Sequence, residues 1–366
     1  MLLCLFGYAF AGTLTLDMLD VGQGDSFLVT TPNGQQILVD AGTSKSNVAD
    51  TLARMGVEKL DLLIASHPHA DHIGGMHVIV ERFPVGGYLH SGDTHTTRTY
   101  RSLDQAIKNR RIEAKAAKAG QVFNLGDGAT MKVLWPGTLR LSGTRSDLNS
   151  NSVVLRIDNG EDCMLLMGDA EEATENAILR HNFETCDLLK VAHHGSRHSS
   201  TQRFLDAVEP KIALISSGDG NRYKHPGEAT VAKLHRMETE VYRTDLTGHV
   251  TVVSTGHGLE VIDGLPDSAP LRMPRTVAVA GPVKEDSPEL TPLIADPAPL
   301  PAPDHVDLPV EPPVAESSEE ASDGLRVSTP KDESASPKPA ASSPWQRFVS
   351  RITFWKTPKT QEESSE

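Results

Sequence analysis

Directly after the apolar run Leu60–Ala65 the chain reads Ser66-His67-Pro68-His69-Ala70-Asp71-His72-Ile73-Gly74-Gly75. A strand that delivers three imidazoles and a carboxylate to one sheet edge crowds groups whose joint desolvation is costly unless a cation organises them. Neutral imidazole and carboxylate are ligands for zinc and for manganese-like ions. Alternation in an extended loop turns His67 and His69 to one side, and Asp71 and His72, at the start of a helix, face a second ion. With 15 histidines in 366 residues, chance produces this spacing about 0.002 times per chain, so a solvated histidine cluster is the weaker reading. The motif follows an apolar strand, so the chain must hold other strands for it to pair with.

The surrounding pattern supplies such strands. Thr13–Leu19, Ser26–Thr31 and Gln35–Asp40 read as successive strands, with Pro32-Asn33-Gly34 as the hairpin signal between the last two. A helix is expected near Asn47–Arg54, another from about His72, and a third near Arg101–Lys108. Strands resume at Thr130–Leu134, Val153–Ile157, Met164–Met167, Leu188–Ala192 and Ile212–Ser216, interleaved with helices at Glu171–Arg180, Thr201–Val208 and Glu228–Met237. Glu240–Arg243 and Val250–Val253 read as the closing strands. Antiparallel hairpins first and mixed strands and helices later predict an α+β chain with two sheets and helices packed outside. Gly22-Gln23-Gly24 stops short of a dinucleotide-binding turn, which disfavours a doubly wound sheet.

Composition divides the chain. Residues 266–366 hold 18 of the 24 prolines, with 17 acidic and 10 basic residues, whereas residues 1–265 hold 32 acidic and 25 basic. Each part carries −7 of the net −14. Residues 13–265 read as a folded domain and 266–366 as a Pro/Ser/acidic-rich, mostly disordered tail. Within that tail Trp345–Lys356 is aromatic, basic and amphipathic, fit to dock on a partner or a membrane surface. Residues 1–12 form a short apolar start whose Ala9-Phe10-Ala11 resembles a signal cleavage site without the basic n-region, which leans towards a secreted or periplasmic setting. No apolar run is long enough for an integral membrane span. Bulk basic charge for coating nucleic acid is excluded by the acidic balance, but an enzyme that meets phosphates through metal ions is not. The cysteines Cys4, Cys163 and Cys186 lack a CxxC, and the last two read as buried small hydrophobes.

Further segments add candidates. Asp40 closes a strand and is placed to orient a histidine ligand. Asp169, in Met167-Gly168-Asp169-Ala170, ends another apolar strand and is placed to bridge two ions. Val191-Ala192-His193-His194-Gly195-Ser196 ends a third and offers one more imidazole, and Asn149-Ser150-Asn151-Ser152 offers an amide oxygen. His225 and His249 are candidates for contacting substrate oxygens, and Lys190 lies beside the histidine pair. Arg197, Arg203, Arg222 and Lys224 are candidates for a local basic patch.

Together, Asp20-Val21-Gly22-Gln23-Gly24-Asp25-Ser26, the Ser66–Gly75 segment, Leu189–Ser196 and Asn221-Arg222-Tyr223-Lys224-His225-Pro226 resemble the metallo-β-lactamase superfamily, and within it the ComEC-type branch associated with DNA uptake in competence. The resemblance runs from about Thr13 to Val253. It implies an αββα sandwich with metals at one edge and a metal-dependent hydrolase acting on phosphodiesters through hydroxide generated by two divalent ions, zinc or manganese. His67, His69, Asp71, His72, Asp169 and His193 or His194 are then the metal ligands, with Asp40 as the early carboxylate. Asn151 stands where many members carry a further histidine. Asp71 also orients the nucleophile, and His225 handles substrate. DNA or another phosphodiester is the expected partner. The membrane channel of the ComEC branch is absent from this sequence, so DNA transport does not carry over. A lactonase or thioesterase using the same ions, and a non-catalytic metal-binding interaction protein, are the rival readings.

Overall fold

Strands apolar on both faces need partners on both sides, and this chain answers with four layers. The computed structural model describes residues 12–181 and 183–263. Its strands are β1 (Leu14–Met18), β2 (Phe27–Thr30), β3 (Gln36–Val39), β4 (Leu62–Ala65), β5 (Tyr88–His90), β6 (Ala114–Ala116), β7 (Val122–Gly126), β8 (Ala129–Trp135), β9 (Val154–Asn159), β10 (Asp162–Leu166), β11 (Leu188–Lys190), β12 (Ile212–Ile215), β13 (Glu240–Arg243), β14 (Val250–Ser254) and β15 (Leu259–Asp263). One sheet has the order β15-β14-β1-β2-β3-β4-β5-β6 and the other β13-β12-β11-β10-β9-β8-β7. Both are mixed: β1, β2 and β3 pair antiparallel, then β3, β4, β5 and β6 pair parallel, and β10, β11, β12 and β13 are parallel beside antiparallel β9.

Alternation assigns each strand residue to a layer. Ile37 and Val39 of β3 point into the core between the sheets, where they meet Met131, Leu155 and Met164. Leu38 points outward onto the helices Val48–Arg54 and Met76–Arg82. On the far side Leu165 and Leu189 pack against Phe204, Leu205 and Leu234 from the helices Gln202–Val208 and Glu228–Arg236. The chain is thus an αββα sandwich with three apolar seams. Among the described residues no helix is long and apolar enough to cross a membrane.

Two expectations are corrected. Val250–Val253 does not close the sheet, because Leu259–Asp263 follows it and pairs antiparallel with β14. Cys163 and Cys186 are buried, but as a disulfide, not as separate small hydrophobes. The reason is register: β10 and β11 run side by side with Met164 opposite Leu188, which brings the residues just ahead of those positions together. The apolar N-terminus, Cys4 and the tail with Trp345–Lys356 lie outside the described residues. Closing a loop over a sequence separation of 23 residues contributes about 3 kcal/mol on the chain-entropy account. Cys163→Ser/Cys186→Ser should lower the urea midpoint accordingly; an unchanged midpoint would show that the crosslink adds nothing to stability.

Candidate metal centre

The parallel strands set the location. Asp40 follows β3, Ser66–His72 follow β4, Asp169 follows β10 and His193–His194 follow β11, so both sheets release their loops at one edge. Asp25 reaches the same edge from the opposite direction, because β2 runs antiparallel to β3 with Phe27 opposite Val39. Gly24 makes the approach possible. It sits at φ 139°, and a Cβ there would stand 2.2 Å from the carbonyl oxygen of Asp71, a contact only glycine tolerates. The Asp25 N–H then donates to that carbonyl at 3.2 Å.

Asp169 stands at the centre. Its Oδ2 lies 3.3 Å from His72 Nε2, 3.7 Å from His193 Nε2 and 3.8 Å from His67 Nε2, and its Oδ1 lies 3.6 Å from His194 Nε2. His69 Nδ1 is 2.8 Å from His67 Nε2. On the other side Asp71 Oδ2 is 3.6 Å from His194 Nε2 and 4.0 Å from His72 Nε2. The structure therefore separates the two adjacent histidines: His194 faces Asp71, and His193 turns towards Asn149 and Glu171. Both have left-handed backbone, at φ 51° and 53°, an uncommon state for side-chain-bearing residues that is concentrated at functional sites.

The hydrogen bonds behind the cluster fix ring orientation. Asp40 accepts from Ser66 N–H at 2.8 Å and from Ser66 Oγ at 2.6 Å. Its Oδ2 also accepts a hydrogen bond from His72 Nδ1–H at 2.8 Å, which turns the Nε2 lone pair to the cluster. His194 Nδ1 donates to the Ser216 carbonyl at 2.9 Å with the same effect on its Nε2. Asp40 thus touches His72 and Ser66 and acts through them.

Charge demands a cation. Asp25, Asp40, Asp71 and Asp169 converge with the histidines, and the one ammonium among them in the described residues is buried Lys190, which pairs with Asp25 and donates to the Gly168 carbonyl. With neutral imidazoles the cluster is three negative charges from neutrality. Burial works against a charge on Asp169, yet His72, His194 and His193 outweigh it and hold the carboxyl well below its ordinary range. Burial likewise opposes a proton on His72, but Asp169, Asp40 and Asp71 hold its pKa well above the imidazole value. His194 is pushed up to about 10, with burial opposing and Asp169 and Asp25 prevailing. Such proton affinity marks a place where a multivalent cation substitutes for protons. Asp169 Oδ1 and His194 Nε2 are buried without a hydrogen-bond partner, as expected of atoms that belong to an ion.

Not every expected residue converges. The Asn151 amide is consumed locally: Oδ1 accepts from Leu141 N–H at 3.0 Å, and Nδ2 donates to the Leu141 and Asp147 carbonyls. Asn151 is therefore turned away from the cluster of histidines and aspartates. The amide that faces it is Asn149, whose Nδ2 lies 3.4 Å from His193 Nδ1 and whose Oδ1 is buried and unpartnered. His225 is half-buried with its ring 5.6 Å from that of His193, and its Nδ1 has no partner. His249 is turned elsewhere, its Nδ1 accepting from Asp20 N–H at 2.8 Å. Asp25 and Asn149 are the polar groups sequence reasoning missed at this edge. Both stood inside segments already singled out.

The sequence profile of the Metallo-beta-lactamase superfamily matches residues 19–219. Among curated relatives, ComE operon protein 3 of Bacillus subtilis is 29% identical over 256 residues, covering 64% of this chain and 32% of the relative. Recombination protein 2 of Haemophilus influenzae is 33% identical over 247 residues, covering 66% and 29%. The chain spans about a third of the length of these two relatives. Exodeoxyribonuclease WalJ of Streptococcus pneumoniae is 22% identical over 273 residues, covering 67% and 92%. With the sandwich, the edge cluster and a profile match over more than half its length, the chain belongs to the metallo-beta-lactamase superfamily and is a metal-dependent hydrolase of that fold.

Proposed function

We propose that the hydrolase unit, residues 13–265, cleaves phosphodiesters, with DNA as the polymer it meets. The observation that carries this reading is the charge count at the edge. Two divalent ions exceed the three uncompensated negative charges by one, and a net positive centre favours an anionic diester over a neutral lactone or thioester. The names of two relatives point the same way, one a recombination protein and one an exodeoxyribonuclease.

His67, His69, His193 and Asp169 would hold one ion, and Asp71, His72, His194 and Asp169 the other, with zinc or manganese suited to this nitrogen and oxygen set. When bound, such ions acidify water to a nucleophile near neutral pH and offset charge on the attacking and leaving oxygens. The residues do the rest. Asp40 keeps the His72 proton on Nδ1, and Ser216 does the same for His194. Asp71, the most open carboxylate of the set at 32% side-chain exposure, is placed to accept a proton at Oδ2 and orient an incoming water. His225 Nδ1, unpartnered beside His193, is placed to contact a substrate oxygen.

Full-length protein, stripped with chelator and then reloaded with zinc or manganese, should recover about two ions per chain. Hydrolysis of a small phosphodiester reporter should return with the metal, while a lactone and a thioester should turn over far more slowly. Turnover of the lactone alone would overturn the diester reading.

A further inference from the structure

We propose that a cleft beside the metal centre is the groove for the single nucleic-acid strand on which the centre acts, a proposal that rests on the phosphodiesterase reading above. The cleft has a volume of about 610 Å³ and is lined by Arg145, Arg197, Tyr223 and Lys224, with His193 and His225 at its inner end. His193 also lies 3.7 Å from Asp169. The cleft therefore opens directly onto the ligand cluster.

Its chemistry is that of a phosphate track. Arg145, Arg197 and Lys224 are exposed, although residues 1–265 carry seven more acidic than basic side chains. Among the described residues neither Arg197 nor Lys224 has a carboxylate within ion-pair distance, and Arg145 shares its charge with Glu171 at 3.6 Å. Unpaired cations in an acidic protein, gathered at the mouth of a hydrolytic centre, mark an anionic substrate that extends past the reacting bond. The cleft also has an aromatic tier. The Arg222 guanidinium sits 4.7 Å from the Tyr223 ring centroid, and Tyr223 lies 5.9 Å from His225 at an interplanar angle of 27°. Tyr223 is 50% exposed. A positive groove that follows the backbone beside an exposed stacking surface is the combination that binds single strands with little regard to sequence. The volume suits a short run of one strand. Arg203, which the sequence placed in the patch, instead donates to Asn176 at 3.0 Å and does not line the cleft.

The test uses the metal-loaded full chain and a fluorescein-labelled, phosphorothioate-linked single strand that resists cleavage, read by fluorescence anisotropy against salt. Each phosphate contact on a single strand adds about 0.7 to the slope of log affinity against log salt, so Arg197→Gln/Lys224→Gln should lower the slope by about 1.4 and weaken binding about 25-fold at 0.1 M salt. Tyr223→Ala should weaken binding about tenfold, and Tyr223→Phe should not. Lys59→Gln/Lys211→Gln removes the same charge ahead of β4 and β12, at the opposite edge, and should bind like the unaltered protein. Thermal midpoints of all variants check the fold. If the two double variants behave alike, or if the unaltered protein does not bind the strand, the cleft proposal is overturned. If the strand binds through Arg197 and Lys224 but the small reporter is never hydrolysed, the phosphodiesterase reading fails and the groove is supported.

Discussion

Asp169→Ala should abolish metal retention and turnover together. Four histidine nitrogens face its two oxygens within 3.8 Å, so its loss removes the group that sits between the two proposed ions. It also removes the one carboxylate that all four imidazoles share. The rate on a phosphodiester reporter should fall at least about a hundredfold, comparable to the loss of other strongly coupled catalytic electrostatics. His225→Ala supplies the contrast: metal content should be kept while turnover of the diester weakens, because its ring stands behind His193. Elemental analysis and reporter rates on both variants decide the matter. Two ions and a near-normal rate in Asp169→Ala would sink the bridging assignment.

Asp40→Ala should damage the centre from behind. The carboxylate holds the His72 Nδ1 proton and both donors of Ser66, yet reaches the cluster only through them. Removal of such an orienting partner costs about 10–100-fold in metal affinity. Competition with a chelating dye should register that loss directly, before any activity is measured. A dye titration that superimposes on the unaltered protein would reduce Asp40 to a packing role.

The histidine motif was legible because its chemistry is local: strand, loop and helix start follow one another, and spacing alone turns the side chains. The hairpin at Pro32-Asn33-Gly34 was legible for the same reason, and β2 and β3 pair as expected. What escaped was set by distance or by backbone detail. Asp25 meets Lys190 across 165 residues of sequence, a pairing that neither segment announces. Asn149 and Asn151 differ by two positions at the end of the short helix Asp147–Ser150, and only the path of the chain out of it decides which amide turns to the histidines. The division of labour between His193 and His194 follows from two left-handed residues in succession, which no periodicity predicts. Ala114–Ala116 was missed as a strand because it is a largely exposed edge, without the apolar alternation that marks inner strands.

Both sheets contribute to the same edge, Asp40 through His72 from one and Asp169 through His194 from the other, so occupancy and folding are thermodynamically linked. An ion that bridges the two layers binds the docked sandwich and not its separated halves. At a free-metal level a hundred times the dissociation constant, the folded state gains about 2.7 kcal/mol by mass action. The melting temperature is then a metal gauge: plotted against buffered free zinc or manganese, it reads out affinity without any substrate. Where metal is scarce, the same linkage lowers the stability of the whole sandwich.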